Sequence, residues 1–177
     1  QAVLDSTGVH LRKFVYDSRG MLTERSFHGI DGNSLTDSNG CVRNRFEYDA
    51  AGNVLFEMCI GANGLPATFP GSSIAGYQRA YDDHACVTRE TFIDVDRRPA
   101  PLGKMAGSAY SRDKFCGERM RDFVDAAGVL VATGTNPARW ESVLDGQGQT
   151  VAQRCYDAAK APYNCNADAA SKQAGAV

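Results

Sequence analysis

The side chains able to do chemistry are few and scattered. Gly71-Ser72-Ser73-Ile74-Ala75-Gly76 puts two hydroxyls in a glycine-bounded stretch. A serine nucleophile needs G-x-S-x-G between a strand and a helix, and neither the spacing nor the helix is offered. Asp31-Gly32-Asn33-Ser34 and Asp37-Ser38-Asn39-Gly40 are rich in oxygen ligands for calcium. They lack the order of acids and the closing glutamate of an EF-hand loop, and two successive turns account for them. Asp82-Asp83 and Asp94 with Asp96 are the carboxylate pairs a glycosidase would use, yet they lie in turn sequence where acids are expected. His10, His28 and His84 lie far apart, and none recurs at the spacing zinc geometry needs. No catalytic residue, metal ligand or cofactor is assigned, and the chain is expected not to be an enzyme.

The six cysteines, Cys41, Cys59, Cys86, Cys116, Cys155 and Cys165, form an even set without a C-x-x-C pair. Disulfides explain such a set better than zinc and point to an oxidising compartment: periplasm, cell surface or exterior. Free buried thiols in a cytoplasmic protein are the other reading. Cys155 and Cys165 flank Pro162 and are placed to lock a last hairpin. Cys41 with Cys59 and Cys86 with Cys116 would each tie neighbouring units, although spacing alone leaves the pairing of these four open.

Bulk composition narrows the function classes. The chain has 177 residues, 43% hydrophobic and 23% charged, with a formal net charge of −2. That is a globular composition, long enough for one ordinary domain. A pI of about 5.9 offers no basic field for phosphates, so nucleic acid is not an expected partner. No apolar run has the roughly 18 residues of a membrane-spanning helix, so direct membrane insertion is not expected. A start at Gln1-Ala2 without Met suits a processed terminus, and a boundary set in cloning would look the same.

The elements come from repetition. Tyr48-Asp49 and Tyr81-Asp82 stand 33 positions apart, and at that offset Val54 meets Val87, Glu57 meets Glu90, Pro66 meets Pro99, Ala67 meets Ala100, Tyr77 meets Tyr110 and Arg79 meets Arg112. At an offset of 32, Phe14 meets Phe46, Tyr16-Asp17 meets Tyr48-Asp49, and Gly20, Gly29 and Gly32 meet Gly52, Gly61 and Gly64. About five units of about 32 residues are read, beginning near Asp17, Asp49, Asp82, Phe115 and Asp145. A second turn follows the first by 12 residues, as from Asp82 to Asp94 and from Asp145 to Asp157.

The tetrapeptide D-x-x-G occurs at Asp5-Gly8, Asp17-Gly20, Asp37-Gly40, Asp49-Gly52, Asp125-Gly128 and Asp145-Gly148. Asp opens a type I turn by bonding the backbone two residues on, and Gly takes the positive φ that closes a bulged hairpin. Runs such as Leu11 to Tyr16, Val42 to Tyr48 and Val54 to Met58 are aromatic and β-branched with partial alternation, as strands are. The expected fold is all-β: repetitive antiparallel hairpins in an elongated twisted sheet or short solenoid. The hairpin repeat domain spans 1–165, with a breaker-rich loop from Thr68 to Gly76, and 166–177 form a flexible tail.

At Tyr16-Asp17-x-x-Gly20, Tyr48-Asp49-Ala50-Ala51-Gly52-Asn53 and Tyr81-Asp82 the sequence resembles the YD-repeat, or Rhs-type, family of bacterial secreted proteins, over roughly residues 3 to 160. The resemblance implies β-strips that curl into shells around a toxin or serve as extracellular binding surfaces. The units here are longer than the family's usual repeat, and five are too few to close a shell. No catalytic residues carry over, because the repeats themselves are scaffold.

Tyr77, Tyr110 and Trp140, with Arg79, Arg112 and Arg139 beside them, are in register and suggest an aromatic and basic ladder along one face. Cross-strand packing explains such a ladder, and Tyr, Trp and Arg are also enriched at interfaces. The expected function is therefore non-catalytic binding or scaffolding in a periplasmic or surface assembly, through a protein partner or self-assembly. A glycan or cell-wall ligand is the alternative, and a hydrolase or toxin-linked module with its site between Cys116 and Trp140 is the rival of another class.

Overall fold

The computed structural model describes residues 8–132 and 136–165; Gln1, Ala2, Asp5 and the expected tail at 166–177 lie outside them. The regular structure among these residues is entirely β. Twelve strands follow in order: β1 (Leu11–Tyr16), β2 (Leu22–His28), β3 (Ser34–Leu35), β4 (Arg43–Tyr48), β5 (Val54–Ile60), β6 (Gly76–Tyr81), β7 (Val87–Ile93), β8 (Gly107–Arg112), β9 (Glu118–Val124), β10 (Arg139–Leu144), β11 (Thr150–Tyr156) and β12 (Pro162–Tyr163). They pair as one meander, β1-β2-β4-β5-β6-β7-β8-β9-β10-β11-β12, with β3 on β2 off that path. No pairing joins β1 to β12 among the described residues, so the sheet is not closed into a barrel.

One turn builds the meander. At Asp49 the backbone N–H donates to the Asn53 carbonyl (3.0 Å) and the Gly52 N–H donates to the Asp49 carbonyl (3.2 Å). The Asn53 N–H donates to Asp49 Oδ1 at 2.8 Å. The same three bonds recur at Asp17, Asp37, Asp82, Asp94, Asp113, Asp125, Asp145 and Asp157. The carboxylate satisfies N–H groups that the tight reversal would otherwise leave unpaired, which is why Asp fixes its position. The register slips by one residue just before Asp17, Asp49, Asp113 and Asp145, the bulge that this loop length demands.

Two turns open on glycine instead of Asp, at Gly29 and Gly61. There the acceptor moves two places along: Asp31 Oδ1 accepts the Asn33 N–H and Asn63 Oδ1 the Leu65 N–H, both at 3.0 Å. The fourth hairpin corrects the sequence reading. Its turn starts at Asp113, 31 residues after Asp82 and 32 before Asp145, while Phe115 sits inside the turn with 83% of its surface exposed. Non-glycine residues occupy the positive-φ place at Ala85, Arg97, Cys116 and Lys160, so a search for D-x-x-G passes over four of the turns.

The chain divides into two compact units, one holding residues to Arg79 with Phe92–Ala100, the other Ala80–Thr91 with the residues from Pro101 onward. In the first unit Met58, Ile60, Ala75 and Ile93 form the buried cluster, with Phe56 against it. The loop after β5 is drawn into that core: the Cys59 N–H donates to the Ala75 carbonyl and the Ala75 N–H to the Ile93 carbonyl, both at 2.7 Å. Gly76 opens β6 because a Cβ there would stand 2.0 Å from the Glu57 carbonyl oxygen. A disulfide joins Cys41 to Cys59 beside this core.

In the second unit the buried apolar residues Cys86, Ala106, Val124, Ala138 and Cys155 are mostly small. Cys86–Cys116 and Cys155–Cys165 are its disulfides, and no cysteine of the chain is free. The three bonds indicate an oxidising, extracytoplasmic environment. Cys41 and Cys86 each directly follow the positive-φ residue of a turn, and Cys116 is itself one. Turn chemistry thus delivers cysteines to neighbouring hairpins at bonding distance.

Candidate functional site

The polar groups singled out in the sequence are mostly consumed by the backbone. Ser72 Oγ lies 3.1 Å from the Phe69 carbonyl, to which it donates, and accepts the Ile74 N–H at 3.2 Å, which makes it a turn hydroxyl. Asp82 and Asp94 cap their turns, and Asp96 pairs with Arg98 at 3.0 Å. Asp31 and Asp37 cap separate turns and do not converge on a common centre. Among the described residues no group of three or more His, Cys, Asp or Glu side chains is placed to hold a metal ion.

Hydrogen bonding leaves its mark on these carboxylates. Asp17, Asp82 and Asp113 are held below the usual carboxylate range, first by the backbone N–H of Met21, Cys86 and Gly117 respectively. Asp31 is lowered first by the Asn33 N–H, and Asp49 first by the Asn53 side chain. Each is a donor that binds only the charged form well. The tyrosine of the Tyr-Asp pair ties one hairpin to the next: Tyr48 Oη donates to the Leu22 carbonyl at 2.7 Å, and burial pushes its pKa up.

What remains at the surface is a set of arginines laid over aromatic rings. In the first unit Arg25 lies 5.5 Å from the Phe27 centroid and 5.8 Å from that of Phe46, with its Nη2 donating to Asn44 Oδ1 at 3.1 Å. Phe14 faces Arg25, and Arg12 faces Phe27, across β1 and β2. A cleft of about 280 Å³ opens between Arg12, Arg25, Phe27 and the Asp37 turn. Farther along, Tyr77 stands 5.8 Å from both Phe69 and Phe92, with Arg79 over its ring at 5.6 Å and paired with Glu57 at 3.4 Å.

In the second unit one cross-strand row runs Tyr110, Arg121, Trp140, Cys155, Tyr163 from β8 to β12. Arg112 and Arg121 lie over the Tyr110 ring at 4.6 and 5.3 Å. Arg112 is anchored by donating to the Val87 carbonyl at 2.8 Å, and Arg121 by Glu118 at 2.8 Å, a bond that raises the Arg121 pKa. Rings and guanidiniums held this way form a surface whose side chains have already given up their rotamer freedom.

Arg139 does not belong to that row, contrary to the ladder expected from sequence. Adjacent residues of a strand point to opposite faces, so Arg139 lies on the other side from Trp140. There it grips Asp122 with two bonds of 2.6 and 2.7 Å, and that pairing raises its pKa. Arg121 takes its place in the row. Sequence reading missed Arg121 because its position follows from the register after the Asp113 turn, which was misplaced at Phe115. Tyr156-Asp157, a further Tyr-Asp pair, was also passed over; Tyr156 Oη donates to Glu141 Oε2 at 2.8 Å, which raises its pKa.

No protein-family model matches the chain, and no curated protein matches it.

Proposed function

We propose that this chain is a non-catalytic binding or scaffold module of a periplasmic or cell-surface assembly, built of YD-like hairpin repeats. The observation that carries the reading is a division of labour. Turn carboxylates, the Ser72 hydroxyl and all six cysteines serve the backbone, whereas arginines stacked on aromatic rings form an ordered surface. Such surfaces suit recognition, since Tyr, Trp and Arg lose little entropy on contact. The protein partner would meet the Tyr110, Arg121, Trp140 row. The test is crosslinked capture from periplasmic and surface fractions by the wild-type chain, by Arg121→Glu and by Trp140→Ala. A partner captured by wild type and lost from both variants supports the reading; capture unchanged by either variant sinks it.

A glycan ligand is the second reading, favoured by the spacing of the rings. Tyr110, Trp140 and Tyr163 occupy every second strand, and two strand spacings amount to roughly 9.5 Å. Glycan-array binding abolished by Trp140→Ala would favour a sugar over a protein.

A further inference from the structure

We infer that the outer edge of β1 docks an extended segment of a partner polypeptide that carries a carboxylate opposite Lys13, adding one more antiparallel strand to the sheet. The inference rests on the chain being a binding module and names where and what one partner binds.

Two observations point to the edge. Among the described residues β1 pairs only with β2. It is also the one long strand of the described set exposed at every position, with Leu11 45%, Phe14 48%, Val15 53% and Tyr16 59% exposed. A six-residue apolar edge without proline or a bulge on its outer side is a template for a further strand.

The junctions between hairpins say what that strand must carry. Where one hairpin meets the next, three residues of the incoming strand face three of the outgoing one: Glu24-Arg25-Ser26 against Arg43-Asn44-Arg45, Phe56-Glu57-Met58 against Gly76-Tyr77-Gln78, Arg89-Glu90-Thr91 against Gly107-Ser108-Ala109, and Met120-Arg121-Asp122 against Arg139-Trp140-Glu141. Each incoming triplet supplies one carboxylate. Glu24 pairs with Arg43 and Arg45, Glu57 with Arg79, and Asp122 with Arg139, while Glu90 acts electrostatically on Arg121.

In β1 the residues at the repeat distance of 32 from Arg43 and Arg45 are Leu11 and Lys13. Lys13 is exposed and has no ion-pair partner among the described residues. An acid in the place of Glu24 would complete it.

The same arithmetic excludes a second copy. The triplet of β11 at the repeat distance from Met120-Arg121-Asp122 is Ala152-Gln153-Arg154, which has no acid. Stacking two copies end to end would set Ala152 against Lys13 and Arg154 against Leu11, cation beside cation with nothing between. The chain therefore selects a foreign acidic strand over itself.

The probe is a synthetic peptide with the sequence of Leu22–His28, the native strand that brings a glutamate to this register, titrated into isotope-labelled protein and followed by backbone amide shifts. Saturable shifts confined to β1 are expected, centred on Leu11 to Lys13. Lys13→Glu should weaken binding about threefold to fivefold, the range of a cross-strand ion pair. The Glu24→Lys peptide should bind Lys13→Glu protein better than wild type, a charge swap that a general loss of folding cannot produce. Equal binding of both peptides to both proteins, or shifts away from β1, would overturn the inference, as would end-to-end self-association in sedimentation that persists in Lys13→Glu. If the peptide fails while Trp140-dependent capture persists, the edge is refuted and the binding module stands; if both fail, both readings fall.

Discussion

At the scale of the residue, the fold is written in aspartates and in the residues three places after them. Six D-x-x-G tetrapeptides are legible without coordinates, and five of them lie within the described residues as the turns they imply. Asp82, Asp94, Asp113 and Asp157 make the same turn without glycine, and these are the ones a motif search loses. Two substitutions separate the roles. Gly20 sits at φ 79° with nothing within 4 Å of where a Cβ would be, so Gly20→Ala meets only the left-handed backbone cost, about 1–2 kcal/mol. Ala85 holds φ 61° in the equivalent place, so Ala85→Gly should stabilise by roughly 0.5–1 kcal/mol, a rise of about 2–4 °C per kcal/mol in melting temperature for a chain this size. Thermal unfolding of both variants checks the pair; shifts in the same direction would contradict it.

The turn carboxylates also set a pH dependence. Asp17, Asp31, Asp49, Asp82 and Asp113 have folded pKa values below the ordinary carboxylate value. Depressed folded values mean that the unfolded chain takes up protons first as pH falls, so their contribution is complete above about pH 5 and is lost as pH drops through the folded values. Melting temperature should be flat from neutrality to about pH 5 and fall steeply below about pH 4. Asp49→Asn, which keeps an acceptor oxygen without charge, should flatten part of that fall.

At the scale of the element, the hairpins are held by register and by disulfides. The pairs Cys41–Cys59, Cys86–Cys116 and Cys155–Cys165 are those suggested by spacing, because each ties a turn to the hairpin next to it. Their loops of 18, 30 and 10 residues rank the expected losses on double Cys→Ser replacement at about 3, 3.5 and 2.5 kcal/mol. Denaturant titration of the three double variants tests the order. What sequence could not place was the face of each arginine. A period-two element converts a one-residue error in register into a change of face, and the turn misread at Phe115 hid the role of Arg121 while Arg139 was credited with it.

At the scale of the whole molecule, the repeat was legible because the same reversal returns at a stride of 31 to 33 residues, and identical spacing survives where identity fades. The division into two compact units was not legible, since no linker composition marks it; residues 92–100 fold with the first unit although residues 80–91 precede them in the second. The function is carried by side chains left over once the turns are satisfied, which is why motif reading alone pointed to chemistry that the backbone had already claimed.

The register of the second unit bears on fold and surface together, and cross-strand NMR contacts read it directly. Backbone proton contacts should link Tyr110 to Arg121, Arg121 to Trp140, Trp140 to Cys155 and Cys155 to Tyr163. Contacts shifted by one residue, which would put Arg121 on the opposite face from Trp140, or helical contacts between residues three and four apart, would contradict the structure and remove the proposed surface with it.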